Sequence, residues 1–102
     1  MLTYEKVLEI FQDYLTRDRE EEVVMTSRGY VRFQWAGKSD FCDDGRLVST
    51  PEELYDLLLE DCQGFEEVCL TKGRRELTEE DIATAKERCL PYLERRKEAE
   101  EC

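Results

Sequence analysis

Residues 50–71 read TPEELYDLLLEDCQGFEEVCLT. The stretch opens as helices open, with Thr50 as N-cap, Pro51 at the first helical position and Glu53 at the third. Leu54, Leu57, Leu58 and Cys62 recur at helical spacing and make an inner face. Glu52, Glu53, Asp56 and Glu60 fall within one sector of about 100° on the helical wheel. Between Arg46 and Lys72 there is no basic residue against seven carboxylates: Glu52, Glu53, Asp56, Glu60, Asp61, Glu66 and Glu67. The lysines that usually balance a solvated helix at i+4 are missing. The pattern predicts a helix that ends near Cys62, with Gly64 as its left-handed cap. Residues 65–70 fit either a helical turn or a short edge strand.

Upstream, residues 4–17 read as an amphipathic helix capped by Thr3, with Tyr4, Val7, Leu8, Phe11, Tyr14 and Leu15 on one stripe. The run from Arg17 to Glu22 reads as a polar connector. Residues 22–28 and 30–36 then read as a β-hairpin turning at Gly29. In the second strand Val31, Phe33 and Trp35 point one way, and Arg32 and Gln34 the other. A turn at 37–40 leads to a short third strand near Phe41 and Cys42. Asp44-Gly45 reads as a tight turn, after which Arg46 to Val48 extend the sheet.

Downstream, Lys72 to Arg75 form a basic turn, and Thr78-Glu-Glu-Asp81 opens another helix. Ile82, Ala85, Cys89 and Leu93 are expected to face inward, and Pro91 to kink or break the helix. The charged tail 94–102 is expected to fray. The expected fold is therefore α+β in one domain spanning 1–102: a helix, a small antiparallel sheet of three to four short strands, and two further helices. Phe11, Leu15, Phe33, Trp35, Leu54 and Leu58 are the expected core.

Charge narrows the function. Charged residues make up 40% of the 102 positions, where about 25% is usual, and the net charge is −11. Residues 49–70 alone carry net −7, whereas residues 23–48 carry net +1. Such a field repels nucleic acid and anionic membrane and steers basic protein surfaces toward the chain. The clear helix and strand periods argue against disorder. The first six residues lack a basic region followed by an apolar run, and no apolar run approaches the ~20 residues of a membrane span. Five cysteines without close pairs fit reduced thiols, so a cytoplasmic protein is expected.

Catalytic chemistry finds little support. The chain has no histidine, which removes the usual general base and nucleophile partner. Cysteines 42, 62, 69, 89 and 102 contain no C-x-x-C pair, so a thiolate metal site needs separate segments to converge. Cys62 and Cys69 read as small core residues. Asp40, Asp44 and Gly45 imitate part of a calcium loop, but Cys42 occupies a ligand position and Pro51 the place of the closing glutamate. No glycine-rich phosphate loop is present. The basic groups Lys72, Arg74, Arg75 and Arg95-Arg96-Lys97 read as local charge balance or partner contacts. The expectation is a non-enzymatic protein with no cofactor and no metal.

The carboxylates of residues 52, 56 and 60 repeat about every 6 Å along a helix axis, which loosely imitates a row of phosphates. With Val31-Arg-Phe-Gln-Trp35 as strand and Thr50-Pro-Glu-Glu-Leu-Tyr-Asp56 as acidic helix, the chain resembles in outline small acidic anti-CRISPR proteins of phages and mobile elements. That resemblance implies a DNA mimic that blocks the DNA-recognition cleft of an RNA-guided nuclease. The reading that results is an acidic inhibitor or adaptor occupying a basic cleft of a nucleic-acid-binding protein. Its expected contact surface is Glu52, Glu53, Asp56, Glu60, Asp43 and Asp44. The alternatives are an immunity protein, and a small structural subunit or homodimer that uses an apolar sheet face.

Overall fold

The computed structural model describes residues 1–37 and 42–101, and of Asp43 the backbone only. The expected turn beyond Gly37, the strand start at Phe41, Asp40 of the calcium-like skeleton and Cys102 lie outside the described residues.

The chain runs α1 (Tyr4–Ile10), α2 (Gln12–Arg17), β1 (Glu21–Thr26), β2 (Gly29–Trp35), β3 (Cys42–Leu47), α3 (Pro51–Thr71), α4 (Glu79–Arg88) and α5 (Leu90–Glu101). This is an α+β fold with a three-stranded antiparallel sheet in the order β1-β2-β3. The helix expected over 4–17 is present but pauses at Phe11, whose φ of −101° and ψ of 13° depart from helix. Its ladder still crosses the pause, with Phe11 N–H bonding Val7 O at 3.2 Å and Leu15 N–H bonding Phe11 O at 2.9 Å. Thr3 caps it by accepting from Lys6 N at 3.1 Å.

The sheet departs from expectation in two ways. Asp44 and Gly45 do not turn; they lie inside β3 opposite Gln34 and Phe33. A side chain at position 45 would meet the Phe33 ring at 3.5 Å, so the ring covers the glycine and keeps the strand extended. The second departure concerns direction. Val31, Phe33 and Trp35 do share a face, but Phe33 and Trp35 are half-buried on the outward side and lie outside the core. Arg32, only 4% exposed, points inward instead. It can do so because Asp44 and Asp61 meet its guanidinium at 2.9 and 3.2 Å, which offsets the cost of burying its charge.

With a polar group on the sheet's inner face, the apolar core forms between helices. Phe11, Leu54 and Leu58 are fully buried as expected, and Leu15 packs against them partly exposed. Tyr92 of α5 stacks on Phe11 with ring centroids 4.9 Å apart, and Tyr55 of α3 meets the same ring at 5.4 Å. The sheet joins this core at its margin, where Tyr30 stacks on Tyr4 at 4.4 Å.

α3 is longer than the sequence suggests. It passes through Gly64 and residues 65–70, and ends at Lys72 in the left-handed region with φ 55°. Two contacts carry it past Cys62. Phe65 packs edge-on against Tyr14 at 5.7 Å. Glu66, 5% exposed, holds Arg17 of α2 at 3.1 Å and reaches Arg88 of α4 at 3.9 Å. These outweigh the cost of a mid-helix glycine.

Beyond α3, Thr78 and Asp81 form a reciprocal capping box that starts α4, and Arg75 clamps Asp81 through both nitrogens at 2.6 and 2.9 Å. The helix breaks at Cys89 just before Pro91. Ala85 and Cys89 face inward, while Leu93 is exposed. The stretch 94–101, expected to fray, is helical and tied to α1: Arg95 donates to Ile10 O at 2.8 Å and Lys6 to Ala99 O at 3.1 Å. Among the described residues, no helix is long and apolar enough to cross a membrane.

Gly64 tests the extended helix. Nothing lies within 4 Å of where its Cβ would stand. Gly64→Ala is therefore expected to stabilise the fold by about 1 kcal/mol, read as a higher urea midpoint at unchanged slope. A destabilised variant would contradict a helix through this position.

Candidate functional site

Thr50 accepts from Glu53 N at 3.1 Å, and Glu53 reaches back to accept from Ser49 N at 3.2 Å. This doubly satisfied start fixes the rotation of α3. Leu54, Leu58 and Cys62 then face the core, and Glu52, Glu53, Asp56 and Glu60 are all exposed on the opposite side. Because the helix continues, Gln63 and Glu67 enter the same sector. Residues 53, 56, 60, 63 and 67 form one row whose ends are fourteen helical steps apart, about 21 Å. Gln63 donates to Glu67 at 3.4 Å within it. An open groove of about 400 Å³ between Arg46 of β3 and the first half of α3 is lined by Glu52, Glu53, Asp56 and Glu60.

One expected contact residue lies off this row and is ion-paired. Asp44 is exposed on β3 but committed to Arg32. The Asp43 side chain lies outside the description. Asp56 has a partner that local spacing did not suggest: Arg96 of α5 comes to 3.7 Å, its guanidinium resting 4.4 Å over the Tyr55 ring.

Sequence reasoning also missed a buried polar seam between sheet and α3. Glu21, within the run read as a connector, begins β1 and is 2% exposed. Gln34 donates to its Oε1 at 3.1 Å, while its Oε2 has no heavy-atom donor. Asp61 Oδ2 likewise lacks one; Arg32 Nε lies 3.2 Å away, close enough for an ion pair but poorly aligned. Burial, followed by the facing Asp61 carboxyl, raises the Glu21 carboxyl to about 9. Glu21 thus holds its proton well above the usual carboxylate range. Nothing in a Glu-Glu-Glu run marks its middle member for burial; only the strand register does.

The cysteines divide. Cys62 and Cys89 are buried with sulfurs 4.0 Å apart, whereas Cys69 is exposed and not the core residue expected. Among the described residues, no group of three or more His, Cys, Asp or Glu side chains could hold a metal ion.

The seam predicts a pH dependence. Glu21 has a higher pKa folded than unfolded, where about 4.3 is usual. Its stabilising contribution is thus complete below about pH 4 and lost as pH rises toward about 9. Glu21→Gln keeps a neutral group and should flatten the decline, which is at most about 1.4 kcal/mol per pH unit. Urea unfolding between about pH 5 and pH 9 checks this; equal slopes in both proteins would refute the raised Glu21 carboxyl. No protein-family profile, no curated protein and no solved structure matches the chain, so a functional reading rests on this geometry.

Proposed function

We propose that this chain is a non-enzymatic acidic binding module whose α3 face occupies a basic, nucleic-acid-binding cleft of another protein. The observation that carries the reading is the row of carboxylates along the solvent side of one 21-residue helix. A helix holds its charges in fixed order, so a lysine- and arginine-rich groove meets them without first ordering a flexible segment. Attraction between exposed opposite charges is screened by salt, so binding weakens steeply as salt rises. An RNA-guided nuclease is one target with such a cleft. A toxin nuclease held by an immunity protein is another, because both roles use the same surface.

A second reading has its own support. Phe33 and Trp35 lie side by side on the outward face of the sheet, 6.5 Å between centroids, with Val31 beside them. A small subunit docking through that apolar face would bind with little response to salt.

One experiment separates the two. Protein captured by the tagged chain from nuclease-treated bacterial lysate is eluted on a salt gradient and tested for displacement by duplex DNA. Mimicry predicts elution at moderate salt and competition by DNA. The triple variant Glu52→Gln, Asp56→Asn, Glu60→Gln should lose roughly tenfold or more in affinity without unfolding. Unchanged affinity would sink the acidic-face reading, and salt-resistant capture would favour the sheet face.

A further inference from the structure

We propose that Cys62 and Cys89 are a modification site: a buried dithiol that hydrogen peroxide converts to a disulfide, tying α3 to the junction of α4 and α5. The inference is independent of the acidic face. It rests on where the fold places two sulfurs and on the backbone that carries one of them.

Cys62 lies on the inner face of α3, and Cys89 caps the end of α4, 27 positions later. Their sulfurs are 4.0 Å apart, and both residues are buried. Among the described residues no other cysteine sulfurs are in contact, and Cys42 and Cys69 are exposed. A disulfide needs about 2.05 Å between sulfurs, so the pair has roughly 2 Å to close. Cys89 is the residue placed to move. It sits where the helix breaks ahead of Pro91, with φ −91° and ψ −4°. Its N–H is shared between Ala85 O at 3.2 Å and Lys86 O at 3.1 Å, so a small shift trades one bond for the other rather than losing both.

The surroundings set the order of events. Arg17 of α2, Glu66 of α3 and Tyr92 of α5 stand around the pair. The hydrogen bond between the sulfurs lowers the Cys89 thiol and, with burial, raises that of Cys62, so Cys89 ionises first. Cys89 is also nearer solvent: it retains 3% exposure against none for Cys62, and the next residue, Leu90, is 51% exposed. The Cys89 thiolate attacks hydrogen peroxide; an S–O bond forms, the O–O bond breaks and hydroxide leaves, giving a sulfenic acid. The Cys62 sulfur then attacks the Cys89 sulfur. The S–S bond forms as the S–O bond breaks, and the hydroxyl leaves with the Cys62 proton as water. Together the two thiols lose two electrons and two protons, and one peroxide becomes two waters. Glutathione disulfide is too bulky to reach sulfurs this buried, so it should not act on the folded chain.

The bond joins the middle of α3 to the start of α5, which Arg95 already ties to α1 at Ile10 O. By closing a loop in the unfolded chain it should raise the thermal midpoint, on the order of ten degrees.

Replacing Cys42, Cys69 and Cys102 by serine leaves this pair as the only thiols, and that chain gives the test. It is treated while folded with ~1 mM hydrogen peroxide, blocked with N-ethylmaleimide and cut with trypsin. The expected result is a link between peptides 47–72 and 89–95, about 2 Da lighter than their sum, with a higher thermal midpoint. Dithiothreitol should reverse both. Cys89→Ala in the same chain should leave the midpoint unmoved by peroxide; if that variant does not fold, the linked peptides of its parent decide. Free thiols, or sulfurs oxidised singly to sulfinic acid, overturn the proposal. Linked peptides with a lowered midpoint also overturn it, because the bond then strains the fold. Equally fast linking by glutathione disulfide overturns the enclosed site. The α3 triple variant should oxidise as its parent does, so this proposal and the acidic-face reading fail separately.

Discussion

The guanidinium of Arg32, buried between sheet and α3, sets the orientation of everything around it. It lies on the middle strand and reaches Asp44 on β3 and Asp61 on α3. Beside Asp61, the Glu21 carboxyl from β1 completes the seam, so all three strands are joined to one helix through charge and hydrogen bonds. Breaking a buried pair by removing one partner typically costs about 3–5 kcal/mol. The arrangement also dictates direction. With Arg32 inward, the alternating neighbours Phe33 and Trp35 have to face out.

Much of the fold was legible. Thr50, Pro51 and Glu53 fixed the start of α3, and Thr78 with Asp81 the start of α4, because caps are local chemistry. Pro91 marked the break before α5 for the same reason. The period of β2 was also plain, but a period does not say which side is inside. Weight of apolar residues favoured Phe33 and Trp35, and a pair of ion contacts made across elements reversed the choice. The end of α3 failed similarly: Gly64 looks like a cap until Glu66 meets arginines from α2 and α4. Interactions between residues far apart in sequence were what the single chain concealed.

The same split runs through the acidic stretch. Of its carboxylates, Asp61 and Glu66 turn inward as structural anchors, and Glu52, Glu53, Asp56 and Glu60 turn outward. Wheel geometry alone predicted the outward set. The Arg32 partner of Asp44 went unforeseen because Arg32 was itself assigned to the wrong side of the sheet. The acidity of this chain thus serves two ends: part of it neutralises buried arginines, and the rest forms an exposed row.

Trp35, the only tryptophan, lies on the outward face of the sheet and donates its indole N–H to Glu22 at 3.1 Å, away from the helical core. Its emission is thus an optical label for the hairpin. The helices that make up the core carry no such label, and far-ultraviolet circular dichroism mostly follows them. Light therefore reports the two layers through different channels. Opening of the hairpin itself would be seen in fluorescence before ellipticity records any loss of helix.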